Sequence, residues 1–287
     1  MRKEKRKGVI LALVVVFSLA VFSYAQEIPE WLKRTEFSFQ YESDQKPTFF
    51  LQMVQPIYQS WDKVDTWFIQ PRISYKSTSS TYNLGLGYRR LYSPALILGA
   101  NVFGDYEARD EHARAGIGLE ALGKRMEARL NGYFGLTSKR EVESDSTFST
   151  YERVADGADF EIGTPVPYFP WLKVYASKFW YDYKKSSDRN GWKTRLEARP
   201  LEGLCIEGYL WDDNKGEAEY GTELRFKIAF ADFTLSSFLE GIKPSIEPYP
   251  ERDLEEMLLE PVKREYEIVL EKWTEKANAD IEIYRGD

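Results

Sequence analysis

Residues 192–199 read Trp192-Lys193-Thr194-Arg195-Leu196-Glu197-Ala198-Arg199. Trp192, Thr194, Leu196 and Ala198 fall on one face of an extended chain; Lys193, Arg195, Glu197 and Arg199 fall on the other. Strict period two marks a strand whose two faces meet different environments. The pattern recurs on both sides of this stretch. Met126, Ala128, Leu130, Phe134 and Leu136 oppose Arg125, Glu127, Arg129, Asn131 and Tyr133. Tyr220, Thr222, Leu224, Phe226, Ile228 and Phe230 oppose Gly221, Glu223, Arg225 and Lys227. Tyr82, Leu84, Leu86 and Tyr88 oppose Asn83, Gly85, Gly87 and Arg89.

The alternation predicts twelve strands, near 35–42, 48–56, 66–76, 80–90, 95–106, 112–122, 124–136, 157–165, 172–183, 190–199, 203–211 and 218–230, with 48–56 and 172–183 ambiguous in phase. Most exceed the five or six residues usual in soluble sheets and match the roughly 9–11 tilted residues that cross a bilayer. An even strand number puts both barrel ends on the periplasmic side. The long connection 138–156 then falls outside, and the short turns near Leu122–Lys124 and Pro200–Gly203 fall inside. Trp67, Tyr75, Tyr82, Tyr88, Tyr106, Tyr181, Tyr183, Trp192, Trp211 and Tyr220 lie near strand ends, the placement of interfacial aromatic girdles. The fold class is all-β: a transmembrane antiparallel β-barrel of about twelve strands with a C-terminal helical linker.

The amino terminus has its own logic. Arg2, Lys3, Lys5, Arg6 and Lys7 precede an apolar run from Val9 to Phe22, and Ser23-Tyr24-Ala25 closes it with small residues. This is the pattern of a secretory signal peptide cleaved between Ala25 and Gln26. Removing 25 residues with five cations and one anion takes the net charge from -7 to -11. An acidic chain without clustered Lys and Arg is not a nucleic-acid binder. The expected organisation is a signal peptide over 1–25, a short periplasmic segment over 26–34, a barrel over 35–230, and a linker over 231–287, helical and within the pore.

The sequence offers little for catalysis. One His (His112) and one Cys (Cys205) exclude a disulfide and any Cys/His metal cluster. Asp110-Glu111-His112 is a loop composition rather than an acid/base pair, and Cys205 reads as a packing residue. No catalytic residue, metal ligand or cofactor is expected. Residues 251–287 hold 12 Asp and Glu against 6 Lys and Arg, whereas the alternating charged face is basic-leaning. An acidic segment in a basic pore is electrostatically favourable, so this tail is expected to plug the barrel. Leu254, Met257, Leu258 and Val262 give it helical spacing, broken at Pro261.

Several ordered motifs carry a resemblance. Asn83, Gly85, Gly87 and Arg89 match an N-x-G-x-G-x-R strand; Asn101, Phe103 and Asp105 match N-x-F-x-D. Arg114, Gly116, Gly118 and Glu120 match R-x-G-x-G-x-E; Asn131, Gly132, Tyr133 and Phe134 match N-G-Y-F. Gln55-Pro56-Ile57-Tyr58 resembles an L-P-x-Y turn, and Tyr151-Glu152-Arg153 with Gly157-Ala158-Asp159 resembles a Y-x-E-R-P-A-x-G-x-D segment. Arg264, Ile268, Val269, Leu270 and Glu271 resemble a linker motif that ends I-V-L-E. Together these resemble the inverse autotransporter β-barrel, the translocator domain of intimin and invasin. The resemblance implies a twelve-stranded outer-membrane barrel whose linker runs back through the pore and delivers a C-terminal passenger to the surface, usually an adhesin. Fourteen residues follow Trp273, so no passenger domain is expected here. Gly221, Leu224 and Phe226 resemble the closing-strand signal of outer-membrane assembly. Outer-membrane lipid, the assembly machinery, periplasmic chaperones and a host or matrix ligand are the implied partners. A stand-alone porin-like channel, or a structural or adhesion barrel acting through its loops, remains the alternative.

Overall fold

The computed structural model describes residues 28–43, 45–229 and 234–276. The expected signal peptide and its expected cleavage point at Ala25 and Gln26 lie outside the described residues, as do Phe230 and residues 277–287. A short helix, α1 (Glu30–Lys33), leads into strands β1 (Thr35–Glu42), β2 (Thr48–Met53), β3 (Gln55–Gln59), β4 (Asp65–Lys76), β5 (Ser79–Ser93), β6 (Leu96–Glu107), β7 (His112–Gly123) and β8 (Glu127–Gly135). Next come β9 (Arg140–Ser144), β10 (Phe148–Val154), β11 (Asp156–Val166), β12 (Phe169–Asp182), β13 (Arg189–Leu201), β14 (Leu204–Asp213) and β15 (Glu219–Lys227). The helix α2 (Leu235–Gly241) and the strand β16 (Leu270–Lys276) complete the chain.

All wall strands pair antiparallel with their neighbours, and β1 closes the barrel by pairing with both β15 and β2. The second and third strands are one wall strand interrupted at Val54, since both pair with β4. Pro71 of β4 stands opposite this break, the kind of ladder irregularity to which proline is confined in sheets. Counted this way the wall has twelve strands. Among the described residues no helix is long and apolar enough to cross a membrane.

The inside–outside alternation follows the sequence. Leu196 and Leu130 are exposed on the outer surface, while Arg195, Glu197, Glu127 and Arg129 are buried in the lumen. The aromatic residues divide more evenly than expected. Trp67, Tyr75, Tyr82, Tyr106, Trp192 and Tyr220 are exposed on the outside. Tyr181, expected in a girdle, is buried in the lumen instead, and Trp211 turns inward to donate to Glu42 at 2.6 Å. A second use of rings explains this. Phe68, Phe103, Tyr175, Tyr181 and Tyr209 each lie over a glycine directly opposite on the next strand: Gly87, Gly85, Gly163, Gly157 and Gly221. A Cβ at any of these would sit 2.2–2.3 Å from the ring, so glycine makes room and the ring covers its backbone.

Two elements depart from the expected twelve-strand plan. The 138–156 connection is a hairpin, β9–β10, rather than an irregular loop. The strand β16 adds to its β10 edge, forming a separate three-stranded sheet at the mouth opposite the barrel termini. The linker is also not helical where it occupies the lumen. Past α2, which packs near β13, the described linker holds one 3-10 turn (Glu255–Met257) and is otherwise irregular up to β16.

Candidate functional site

The lumen is the candidate site, and the linker is its occupant. At the end that holds the barrel termini Glu251 pairs with Lys124 and Glu255 with Lys63, both in turns between wall strands. Leu254, Met257 and Leu258 then pack on Ile97 and Leu122, and Val262 on Val54, Phe68 and Phe103. Val269 meets Tyr133, Ala155 and Tyr181 near the far mouth, where Leu270 begins β16. Residues 251–276 therefore traverse the barrel from end to end.

The wall grips the linker mainly by its backbone. Arg89 donates to the carbonyls of Met257, Leu258 and Glu260 at 3.0, 3.1 and 2.6 Å. Glu120 braces the same guanidinium at 3.0 and 3.2 Å. Arg114 donates to the carbonyls of Glu265 and Glu267 at 2.7 and 2.9 Å. Asn83 reaches the Tyr266 carbonyl, Asn131 the Lys263 carbonyl, and Gln70 accepts from the Val262 amide. Tyr133 accepts from the Glu265 amide at 2.8 Å and donates to Asp159 at 2.5 Å. Buried backbone groups must find partners. Here wall side chains supply what a helix would have supplied internally, which is why the segment stays extended beyond Pro261.

One linker side chain is held with equal care. Arg264 makes a two-pronged pair with Asp105, at 3.0 and 2.8 Å, and Asp105 also accepts from Arg114 at 2.8 Å and Asn83 at 2.9 Å. Asp105 and Arg114 are fully buried, and Arg264 is 2% exposed. Gly116 makes this possible, because a Cβ there would lie 2.6 Å from an Arg264 Nη. Gly118 similarly leaves room for Asn101 and Asn131. Thus Asn83, Arg89, Phe103, Asp105, Arg114, Gly116, Asn131 and Tyr133, scattered over four strands, converge on the linker, with Glu120 behind Arg89 and Gly85 beneath the Phe103 ring. Gly132 and Phe134 do not; Phe134 faces outward, as does Phe226 of the last strand.

The expected acidic-tail-in-basic-pore attraction is not one-sided. Linker cations also find partners inside the lumen: Lys263 pairs with Glu197 and Glu207, and Arg264 with Asp105. Linker acids pair nearer the mouths, Glu260 with Arg199 and Glu267 with Lys76. The linker leaves a polar lumenal cavity of about 380 Å³ on the side of Gln40, Lys193 and Glu223.

The remaining reactive groups are engaged structurally. Glu197, Cys205 and Glu207 cluster closely enough to suggest a metal site, but Arg195, Arg199, Arg225 and Lys263 already neutralise both carboxylates. His112 contacts Glu152 of β10 at 3.2 Å rather than its sequence neighbours. Sequence reading missed Gln70, which occupies a lumen-phase position but does not differ in residue type from ordinary polar strand residues.

Comparison with known proteins agrees with this geometry. A sequence profile described as "Inverse autotransporter, beta-domain" matches residues 12–266. Intimin of Escherichia coli O157:H7 is 33% identical over 105 residues, 37% of this chain and 11% of intimin. The inverse autotransporter adhesin YeeJ of Escherichia coli K12 is 31% identical over 120 residues, 42% of this chain and 5% of YeeJ. The matched regions thus span about a tenth or less of these relatives. A solved structure described as "Unveiling the Mechanism Behind the in-meso Crystallization of Membrane Proteins" superposes with a TM-score of 0.66 at 22% identity, covering 83% of this chain and 99% of that one. That likeness concerns the fold.

Proposed function

The chain belongs to the inverse autotransporter β-domain family, and on that premise we propose that it anchors in the outer membrane and carries its own C-terminal segment to the cell surface. The observation that supports this reading is the path of residues 251–276, which enter beside the barrel termini and leave at the opposite mouth. The family is one of translocator and adhesin barrels rather than of enzymes. An outward face of Leu, Ile and aromatic residues fits lipid contact.

The mechanism follows from how the lumen holds the chain. Arg89, Arg114, Asn83, Asn131 and Gln70 recognise peptide groups, which every sequence carries. A lumen built this way tolerates varied sequences in transit. The Asp105–Arg264 pair and the Val262 and Met257 packing recognise one register, so the final position is specific while the passage is not. A leader over 1–25 would deliver the chain to the periplasm, and the β15 residues Gly221, Leu224 and Phe226 would mark it for outer-membrane assembly with chaperone help. By analogy with the adhesin relative, the exported part would serve attachment to a host or matrix ligand.

The test is an epitope tag after Asp287. Antibody binding on intact cells is the expected result. A tag that is reached only after the outer membrane is permeabilised would overturn the reading.

A further inference from the structure

At the surface mouth the emerging strand is held by two separate parts of the barrel. The first is the edge of β10, which takes β16 in seven antiparallel pairs from Phe148↔Lys276 to Val154↔Leu270. The second is the β12–β13 loop. Its consecutive backbone amides at Lys184, Lys185 and Ser186 all donate to the Glu271 carboxylate, at 2.8, 2.6 and 3.0 Å. Tyr183 in the same loop donates to the Leu270 carbonyl, and Lys185 reaches Glu275 at 2.9 Å. On β10 itself, Glu152 bridges His112 of the wall and Lys272 of β16. Glu271 is only 1% exposed, and the Trp273 ring stacks on Tyr151 at 5.8 Å.

Successive backbone amides converging on one point form a concave anion site. Such a site is costly to leave empty when buried. Both the amide cup and the β10 edge belong to segments that precede the linker in the chain. They present paired requirements, one for a strand backbone and one for a carboxylate, and β16 meets both at once.

We infer that the surface mouth is a strand-capture site: the β10 edge and the 184–186 amide cup receive the exported chain at Glu271 and hold it against return into the lumen. This rests on the export reading and adds a device to it. The site recognises an extended peptide with a carboxylate followed two residues later by an aromatic ring. Glu271 is a positioning residue. It sets the register of β16 on β10, and strand addition at a free edge supplies the remaining hold. Capture at the mouth makes the final stage of export directional, because each peptide pair formed outside opposes backward sliding.

The test uses the full chain with a C-terminal tag, comparing wild type with Glu271→Ala and Glu271→Gln. Pulse-chase labelling reads how quickly the tag becomes antibody-accessible on intact cells. Trypsin on the same cells reads cleavage after Lys272. Heat-modifiable gel migration reads barrel folding in parallel. Losing charge-assisted hydrogen bonds of this kind is expected to slow tag appearance and speed cleavage after Lys272 by about tenfold or more in Glu271→Ala, with barrel folding unchanged. Glu271→Gln, which keeps one acceptor oxygen, should fall between. A Glu271→Ala chain that surfaces at the wild-type rate overturns the capture role, whether or not cleavage after Lys272 changes. A wild-type tag that never surfaces overturns the export reading instead.

Discussion

Replacing Asp105 with alanine tests how the linker is held. The carboxylate is fully buried and serves Arg114, Arg264 and Asn83 at once, with contacts of 2.8–3.0 Å. Its removal leaves two guanidinium groups, 0% and 2% exposed, facing each other without a counter-ion. Breaking one partner out of a buried ion pair costs about 3–5 kcal/mol. Arg114 is fixed on a wall strand, whereas Arg264 belongs to the removable segment, so the strain is relieved by the linker leaving. At about 1.4 kcal/mol per factor of ten, the population with the lumen vacated rises by roughly a hundredfold to a few thousandfold. Single-channel recording in planar bilayers is the assay. Wild type should open rarely, Asp105→Ala far more often, and a chain lacking 251–276 should stay open. The double variant Asp105→Ala with Arg264→Met should open less than Asp105→Ala alone, because one stranded cation is gone. Opening of Asp105→Ala at the wild-type frequency would refute the reasoning.

Other expectations concern the wall and the mouth. Gly87→Ala places a Cβ 2.2 Å from the Phe68 ring and should destabilise the barrel by about 1–3 kcal/mol, read as a lower unfolding temperature in heat-modifiable migration. Gly116→Val should leave barrel folding intact but raise channel opening, since the new side chain collides with Arg264 rather than with the wall. At the β9–β10 turn, the Thr147 and Phe148 amides hold the Asp145 carboxyl below its ordinary value of 3.8. A lowered folded value means the contribution is complete above the ordinary value and is lost as pH falls through the lowered one. Hydrogen exchange over 140–154 should therefore be faster in Asp145→Ala at about pH 6, and the difference should vanish at strongly acid pH.

How much of this was legible in the sequence depended on period. Strands such as 190–199 were plain because charged lumen residues alternate with Leu196 and Ala198. The ninth wall strand, β12, was ambiguous because Tyr175, Phe179 and Tyr181 give its lumen face rings too; their reason lies in the glycines across the ladder, which single-strand reading does not see. The hairpin β9–β10 was hidden by its Ser, Thr and charged residues, since it stands clear of lipid and needs no apolar face. Leu254, Met257, Leu258 and Val262 were rightly singled out, but for packing rather than for helix. Their spacing fits one turn, after which Pro261 and the carbonyl-seeking Arg89 favour extension. Motif residues Asp105, Arg114 and Arg264 could be picked out individually; that they meet required the register of β5 to β8.

The central claim is that the chain passes through its own barrel, and impermeant maleimide labelling tests it most directly. Lys243→Cys lies just after α2 on the side of the barrel termini, and Lys276→Cys lies at the end of β16 beyond the opposite mouth. Cys205, the one native thiol, is buried. On intact cells Lys276→Cys should label and Lys243→Cys should not, until the outer membrane is permeabilised. Labelling of both positions on intact cells, or of neither until the outer membrane is permeabilised, would place them on one side and contradict the account.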